Sequence, residues 1–312
     1  MNHTALAPGG PFAERIVDLF WLFGVVAGVV YLIVIGFLVY GLRRRPAGTE
    51  PVMAPVSATT LRAIGVALGV TGIVLVGLAF SDFLGNRALA HVPPDALRIR
   101  VTAHQWWWEI EYQDPLVTRR VMTANQLTLP TGRPVVLELG SRDVIHSFWV
   151  PSLQGKKDLL PGYTTTLALL ATRAGDYTGE CAEFCGFQHA HMSLDVAAVP
   201  PDEFARWLDV QRAAAAEPET DLQRRGREVF LTSSCRACHA VQGTIAAARL
   251  GPDLTHVGSR PRIAAGTLPN NSTNMAAWIA NPQAFKPGAR MPASPLASDD
   301  LGALSAYLGS LQ

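Results

Sequence analysis

Two long stretches near the start of the chain carry no charged residue. The first runs from Leu19 to Leu42, and as a helix rising about 1.5 Å per residue it reaches roughly 36 Å, enough to cross a hydrocarbon core of about 30 Å. The second runs from Ala63 to Ser81 and is rich in glycine, which lets a neighbouring helix approach closely. We predict two transmembrane helices. A buried hairpin of a soluble protein is the weaker alternative, because such long uncharged stretches are rare in soluble cores. A cleavable signal peptide also fits poorly, because no basic region precedes the first stretch and no small-residue cleavage site follows it.

The loop between the two stretches is basic. It holds four arginines against one acid, namely Arg43, Arg44, Arg45 and Arg62 against Glu50. Loops rich in Lys and Arg stay on the cytoplasmic side of a membrane. The sequence therefore predicts that both ends of the hairpin, and everything after residue 90, lie on the outer face.

After the hairpin, the pattern changes to short runs in which apolar and polar residues alternate. Such runs occupy 97–101, 135–139, 165–169 and 194–196, with prolines and glycines between them. Alternation with period two, broken by turn residues, is typical of an antiparallel β-sandwich or barrel. A helix is predicted over 202–212, followed over 213–220 by an Ala, Glu and Pro stretch with the composition of a tether.

Beyond the tether, the pattern becomes helical. The last helix is predicted to begin at Ser298, because an acidic pair follows this residue and apolar residues then recur on one face up to the C-terminus. We therefore divide the chain into four parts: two transmembrane helices with their N-terminal segment (1–90), a β-domain (91–200), a helix and linker (201–220) and a C-terminal helical domain (221–312).

Composition and charge narrow the possible functions. Of the 312 residues 49% are hydrophobic and only 16% are charged, which supports membrane segments. The 26 basic and 25 acidic residues nearly cancel, so the chain lacks the excess of positive charge with which proteins bind nucleic acid. The four cysteines fall into two tight pairs, Cys181/Cys185 and Cys235/Cys238, instead of being scattered like a disulfide framework. This spacing points to metal or cofactor chemistry.

The second cysteine pair belongs to a C-x-x-C-H motif, with His239 directly after Cys238. This motif attaches c-type haem: the two thiols add to the vinyl groups, and the adjacent histidine reaches the iron. A redox or zinc-binding cysteine pair followed by a chance histidine is the alternative. Met291, in a loop rich in Pro and Gly, is available as a sixth ligand, whereas Met275 lies in an apolar helical run and fits core packing better.

The first cysteine pair lies in a segment, residues 179–192, that also holds two histidines and a methionine. The soft and imidazole donors of this segment are Cys181, Cys185, His189, His191 and Met192. Thiolate, imidazole and thioether together select copper and suit an ion that cycles between Cu(I) and Cu(II). Zinc and a disulfide remain as alternatives, although the Cys-x-x-x-Cys spacing with a trailing methionine differs from the usual zinc clamps.

Residues 221–312 resemble a class I cytochrome c. The matching residues are Gly226 and Phe230 before the haem motif, Gly251, Pro252, Asp253 and Leu254 after it, and Tyr307 on the last helix. The resemblance implies an all-α cytochrome c domain with one haem c bound covalently through Cys235 and Cys238. It also implies that His239 and Met291 are the axial ligands and that the Pro252 region supports His239.

Residues 15–200 are similar to cytochrome c oxidase subunit II, including its CuA domain. The similarity rests on the hairpin, the β-domain, the cysteine segment and the upstream run 144–151. It implies a two-helix transmembrane hairpin followed by a cupredoxin-like Greek-key β-barrel that holds two copper ions. By position, the implied ligands are Cys181 and Cys185 as bridges, His146 and His189 with one copper each, and Met192 and the main-chain carbonyl of Glu183 as weak axial donors.

The same resemblance assigns roles to two further side chains. Trp106 belongs to a run of three tryptophans and would lie over the copper site and pass electrons to it. The alternative is that the three tryptophans simply pack at the edge of the barrel. Neighbouring residues on a strand face opposite sides, however, so at least one of the three must point outward. The Glu183 side chain would help to bind a magnesium ion at the boundary with catalytic subunit I. His191 falls between the ligand positions and is not expected to bind copper.

Together, the resemblances imply a multi-pass protein of the bacterial inner (plasma) membrane, with its soluble domains on the periplasmic face in contact with other oxidase subunits and lipid. It would be the subunit of a haem-copper oxygen reductase, a cytochrome c oxidase, that accepts electrons from an external donor. The donor would be a cytochrome c or a quinol-oxidising complex, and electrons would pass through haem c and CuA to catalytic subunit I. The alternatives are a CuA subunit of a nitric oxide reductase and a tethered electron carrier without a catalytic partner. The first stays open because Val56 to Gly65 lacks the acid that family members commonly carry there.

Overall fold

The computed structural model describes residues 4–44, 56–89 and 93–312. The described parts of 14–91 form one compact unit, and those of 1–13 and 92–312 form another. The first unit consists of two long helices, α1 (Pro11–Arg43, which begins in the other unit) and α2 (Ala58–Leu89). Both predicted apolar stretches lie inside these helices, which are long and apolar enough to cross a membrane.

The side chains of α1 and α2 are largely exposed. Phe37 is 73% exposed and Ile73 is 75% exposed, and most of their apolar neighbours are similarly open. Apolar surface of this extent is unfavourable in water and is suited to lipid, where a helix satisfies its own backbone groups. Within this unit the Arg15 guanidinium donates to the Ser81 carbonyl at 2.8 Å, so the beginning of α1 lies beside the later part of α2. Arg45 and Glu50, used in the topology prediction, lie outside the described residues.

The second unit begins with a sandwich of two five-stranded sheets. Its strands are β1 (Leu97–His104), β2 (Trp107–Tyr112), β3 (Val121–Ala124), β4 (Gln126–Pro130), β5 (Val135–Ser141), β6 (His146–Trp149), β7 (Lys157–Leu159), β8 (Thr165–Leu169), β9 (Gly175–Cys181) and β10 (Ser193–Val199). The strand orders are β3-β2-β1-β5-β8 and β4-β10-β9-β6-β7. All four alternating runs are strands, as predicted.

Most neighbouring strands are antiparallel, but β1 with β5 and β4 with β10 are parallel. These pairs differ from the antiparallel expectation because long crossovers, not hairpins, join their strands. Alternation on β2 shows how the core forms: Trp108, Ile110 and Tyr112 are buried between the sheets, while the residues between them stay partly exposed.

Five helices and a small hairpin follow the sandwich. They are α3 (Pro201–Arg212), α4 (Asp221–Thr232), β11 (Arg262–Ile263), β12 (Leu268–Pro269), α5 (Ser272–Ala280), α6 (Pro282–Phe285) and α7 (Ser298–Ser310). Helix α3 packs Phe204 against Tyr112 of the sandwich, so we group it with the β-domain (93–212). The other elements form the C-terminal domain (221–312). The predicted helices over 202–212 and from Ser298 are confirmed.

Helices α4 and α7 form the centre of the C-terminal domain. They cross closely at Gly226, where a Cβ atom would collide with the Ala303 carbonyl. One turn later the rings of Phe230 and Tyr307 pack 6.1 Å apart. Both aromatic residues belong to the core of this domain.

The tether over 213–220 is extended, but it is attached to the C-terminal domain. The Ala215 amide donates to the Gln242 carbonyl at 3.0 Å, and Glu217 pairs with Arg227 on α4. Thr220 caps α4 by accepting from the Gln223 amide at 3.2 Å. The stretch therefore differs from the loose linker that its composition indicates.

Candidate metal and haem sites

Five sulfur and imidazole donors meet at one end of the sandwich. Cys181 ends β9 and Cys185 lies in the following loop, with their Sγ atoms 3.7 Å apart. His146, at the start of β6, places Nδ1 3.7 Å from the Cys181 sulfur. The Cys185 sulfur lies 3.6 Å from His189 Nδ1 and 3.9 Å from Met192 Sδ. The structure thus brings these predicted ligands together.

Glu183 contributes to this cluster through its backbone. Its carbonyl oxygen lies 3.2 Å from the Cys181 sulfur. Its carboxylate points elsewhere: the side chain is 44% exposed and lies 3.8 Å from the Lys156 ammonium. His191 is exposed, and its Nδ1 pairs with the Gln188 side-chain oxygen at 2.8 Å, in keeping with its predicted absence from the ligand set.

The two cysteines are free thiols, since 3.7 Å is far longer than a disulfide bond of about 2.05 Å. The hydrogen bond between the two cysteine side chains lowers the pKa of Cys181 and raises the pKa of Cys185. Ionisation of one thiol thus opposes ionisation of the other, and both can be thiolates together only with a cation between them. The thioether and imidazoles complete a donor set that fits copper better than a hard cation.

Asp143 orients one of the candidate ligands. Its carboxylate accepts from His146 Nε2 at 2.9 Å and from the Gln105 and Val144 amides at 2.8 Å each. Burial raises the pKa of Asp143, but these hydrogen bonds outweigh that effect and lower it. With Nε2 held, Nδ1 of His146 is directed at the sulfurs. Sequence reasoning missed Asp143, although an acid three residues before a candidate ligand is a usable signal.

Trp106 lies against the cysteine loop. Its indole N–H donates to the Cys185 carbonyl at 2.9 Å, and the Gln105 side chain donates to the same oxygen at 2.8 Å. Trp106 is only 7% exposed. Of its neighbours, Trp108 is buried in the core, while Trp107 is partly exposed and stacks on His104 at 4.2 Å, so the run does divide between two faces.

The C-x-x-C-H motif lies in a tight turn after α4. Cys235 and Cys238 are free and partly exposed. His239 Nδ1 donates to the Pro252 carbonyl at 2.7 Å, while burial lowers the pKa of the imidazole, so Nε2 remains available as a neutral ligand atom. A Cβ at Gly251 would lie 2.7 Å from the His239 ring, so only glycine fits there.

The two methionines considered as axial ligands lie in different surroundings. Met291 is partly buried in the loop before α7 and packs against the edge of the domain core. Met275 is 4% exposed within α5 and belongs to the core itself. This placement agrees with the sequence interpretation of both residues.

Two buried basic groups of the C-terminal domain have a nitrogen without a partner among the described residues. Arg260 is 6% exposed; its Nη2 donates to the Asp253 carbonyl, but its Nε has no acceptor. Burial lowers the pKa of Arg260 to about 10. His256 binds the Gln312 carbonyl through Nδ1 at 2.9 Å and leaves Nε2 unpaired. Buried cations need compensation, and the propionates of a haem would provide it. The sequence does not predict this role of Arg260, because a single arginine in a polar loop carries no distinguishing signal.

Comparisons with known proteins agree with both halves of this description. The family described as "Cytochrome C oxidase subunit II, periplasmic domain" matches residues 115–199, and the family "Cytochrome c" matches residues 223–312. Cytochrome c oxidase subunit 2 of Alkalihalophilus pseudofirmus is 39% identical over the whole chain and 91% of its own length. The chain belongs to the cytochrome c oxidase subunit 2 family. The Bacillus subtilis protein of that name is 30% identical, over 99% of this chain and 92% of its own length.

A solved structure is also similar. The periplasmic domain of cytochrome oxidase subunit II from Bradyrhizobium japonicum is 27% identical, with a TM-score of 0.37 over 39% of this chain and 97% of that one. Membership of the subunit 2 family makes this chain the part of a haem-copper oxidase complex through which electrons enter. It implies copper, haem, further oxidase subunits and a membrane protein with a periplasmic domain.

In this subunit 2 chain, two of the contacts between the C-terminal domain and the β-domain lie near the cysteine loop. At the first, Arg262 of β11 pairs with Asp195 of β10 at 2.6 Å, and the Ser193 amide donates to the Ala265 carbonyl at 3.2 Å. At the second, the segment before Met291 covers the Trp106 ring: a Cβ at Gly288 would lie 3.4 Å from it.

Proposed function

We propose that the β-domain holds two copper ions between the sulfurs of Cys181 and Cys185. His146 and His189 each bind one ion, and Met192 and the Glu183 carbonyl act as weak axial donors. The observation that carries this assignment is the convergence of five buried or half-buried soft donors within 3.9 Å of one sulfur or the other. Copper in such a site supplies one-electron redox chemistry.

The C-terminal domain, in this proposal, holds one covalent haem c. Cys235 and Cys238 form the thioether bonds, and His239 and Met291 are the axial ligands. Arg260 and His256 would pair with the propionates through their unpaired buried nitrogens. The Pro252 carbonyl keeps the His239 ring in one orientation.

Electrons from an external donor, a cytochrome c or a quinol-oxidising complex, enter at the C-terminal domain and pass to the β-domain. The burial of Trp106 supports this order. Because the segment that leads to Met291 covers this ring, a large donor reaches the β-domain by way of the C-terminal domain. From the copper loop, electrons leave to catalytic subunit I.

The remaining partners follow from the exposed groups. The exposed Glu183 carboxylate is available to a magnesium ion at the boundary with subunit I. Helices α1 and α2 lie in the plasma membrane with the arginine-rich loop in the cytoplasm, so the soluble domains are periplasmic. The names of the relatives favour oxygen over nitric oxide as the final acceptor.

The copper assignment is tested by Cys185→Ser in the purified oxidase complex. Loss of one bridging thiolate should abolish the near-infrared band and the multi-line EPR signal of the dicopper centre. Cys235→Ser is the matched control, because it removes a thiol of the other pair and should leave both signals intact. A wild-type protein that contains one zinc per chain and lacks both signals would contradict the proposal.

A further inference from the structure

The second contact between the domains is built around a buried lysine. Lys286 begins the junction segment, residues 286–291, which connects α6 to Met291. Its side chain is 3% exposed. Its ammonium donates to three backbone carbonyls: Trp106 at 2.7 Å, His191 at 2.6 Å and Ala264 at 3.0 Å. The first two belong to the β-domain and the third to the C-terminal domain.

This arrangement uses the whole donor capacity of the lysine. An ammonium has three N–H donors, and each has its own acceptor here. Backbone carbonyls cannot turn away as side chains can, so the three segments are fixed relative to one another. A buried charge persists only where such compensation exists, and burial still lowers the pKa of Lys286 to about 7.

The rest of the junction segment contacts residues that surround the copper cluster. The Pro287 carbonyl accepts from the Gln188 side chain at 2.9 Å. Gly288, with φ +86°, lies against the Trp106 ring. Arg290 places a guanidinium nitrogen 3.9 Å from the Asp143 carboxylate, which orients His146. The next residue is Met291, so one short segment joins a candidate haem ligand to the groups around the copper cluster.

We infer that Lys286 is a positioning residue that holds the C-terminal domain docked on the cysteine loop and thereby sets the rate of electron transfer between the two domains. The inference rests on the proposed function. One electron passes, so the C-terminal domain is oxidised and the β-domain is reduced; no bond is made or broken, and Lys286 keeps its hydrogen bonds throughout.

The test is Lys286→Met in the intact oxidase complex, because methionine is similar in length but has no N–H donor. Three carbonyls then lose their donor, and charged donors contribute more than neutral ones, so the docked population should fall about tenfold or more relative to the open one. The Ser193 amide reports this directly, since its acceptor, Ala265, lies on the other domain. Its hydrogen exchange should become about tenfold faster.

Electron transfer is followed separately from exchange. After photoreduction of the haem, the reduced copper centre should appear more slowly in Lys286→Met than in the wild type, because the loss of three hydrogen bonds loosens the contact across which the electron passes even in the docked molecules. Haem reduction by the donor and the haem spectrum should not change. Lys286→Arg keeps charge and donors and should recover part of the rate. Arg225→Met removes an exposed cation of the same domain, paired with Asp300, and should leave both readouts at the wild-type level.

Unchanged exchange at Ser193 together with unchanged transfer in Lys286→Met would overturn the inference, as would slow transfer with wild-type exchange. If this variant lost its haem, Gln188→Met would replace it, because that change lies on the β-domain and removes the contact with Pro287 across the junction, together with the local contact to His191. It should slow transfer in the same direction, and no effect would refute the inference. Failure of the proposed function looks different: the donor would reduce copper before haem in the wild-type protein.

Discussion

The β-domain and the C-terminal domain assemble their candidate sites in different ways. In the β-domain, the donors lie on two strand ends, of β6 and β9, and on one loop, and they belong to or adjoin a core of 27 buried residues. The C-terminal domain has 11 buried core residues, and its candidate axial ligands, His239 and Met291, lie 52 positions apart in the sequence. A small core is completed by a bound group more often than a large one. The comparison indicates that the copper site is organised by the fold, whereas the C-terminal domain depends on its haem for its own order.

The pairing of polar groups points the same way. The donors of the copper cluster contact one another, and the Asp143 carboxylate holds His146 through a hydrogen bond. In the C-terminal domain, Arg260 and His256 keep unpaired buried nitrogens. Buried polar groups without a partner destabilise a fold, so this domain should be the less stable of the two when each lacks its cofactor.

The largest effect that tests this comparison is expected from Cys235→Ser combined with Cys238→Ser. Without covalent haem, the C-terminal domain should lose protected structure, because its small core cannot compensate for the buried Arg260. Protease should then cut within 221–312, and amides of α4 and α7 should exchange freely, while amides of the sandwich stay protected.

The matched control is Cys181→Ser combined with Cys185→Ser. It should abolish the copper signals and leave the sandwich strands protected, because the core behind the cluster is intact. If the amides of α4 and α7 kept wild-type protection from hydrogen exchange in the protein without haem, the C-terminal domain would not depend on its haem for order, and the contrast between the two domains would fail.

The two methionines of the C-terminal domain separate ligation from packing. Met291→Ala should leave haem attached through both cysteines but convert the iron toward high spin and lower its potential. Met275→Ala should keep the low-spin spectrum and lower the free energy of unfolding by about 2–4 kcal/mol, because it leaves a cavity in the core. Visible spectra and denaturant titrations of the oxidase complex distinguish the two effects. If Met275→Ala produced high-spin haem instead, Met275 would be the axial ligand and Met291 would not.

Most of the candidate ligands could be predicted from the sequence because they lie in two short motifs; His146 and Met291 lie outside these motifs. The cysteine segment and the C-x-x-C-H motif each carry several donors within a few residues, and the strands and helices follow from hydrophobic periodicity. The supporting groups depend on tertiary structure instead. Lys286 stands in a loop rich in Pro and Gly, where a lysine is normally solvated, yet one of its acceptors, the Trp106 carbonyl, precedes it by 180 positions. The parallel strand pairs were missed for the same reason, since strand direction depends on crossovers.

A smaller effect is expected from Asp143→Asn, which tests how far the fold prepares the copper site. Asparagine can still accept from His146 Nε2, but without a negative charge it makes the ring a weaker ligand. Copper affinity should fall about 10- to 100-fold, measured by competition with a chelator. Glu183→Gln is the matched control, since only the backbone carbonyl of that residue lies in the cluster, and it should bind copper with wild-type affinity. Equal affinities for wild type and Asp143→Asn would show that the cluster does not need this support.

The smallest expected effect concerns the acid stability of the β-domain. Burial lowers the pKa of His104 from 6.5 to about 4; its side chain is 14% exposed and stacks on Trp107. The unfolded chain therefore binds the extra proton between these two pH values, so the stability contributed by His104 is complete above pH 6.5 and decreases as the pH falls toward 4. At pH 5 the loss should be about 2 kcal/mol relative to neutral pH.

In His104→Phe, which keeps the stacked ring but cannot titrate, the urea concentration that abolishes the copper absorption should fall less between pH 7 and pH 5 than in the wild type. The haem absorption is an internal control, because His104 lies in the other domain and its replacement should not alter the pH response of that signal. An equal decrease of the copper midpoint in both proteins would mean that the acid sensitivity of the β-domain comes from the ligands alone and not from the fold behind them.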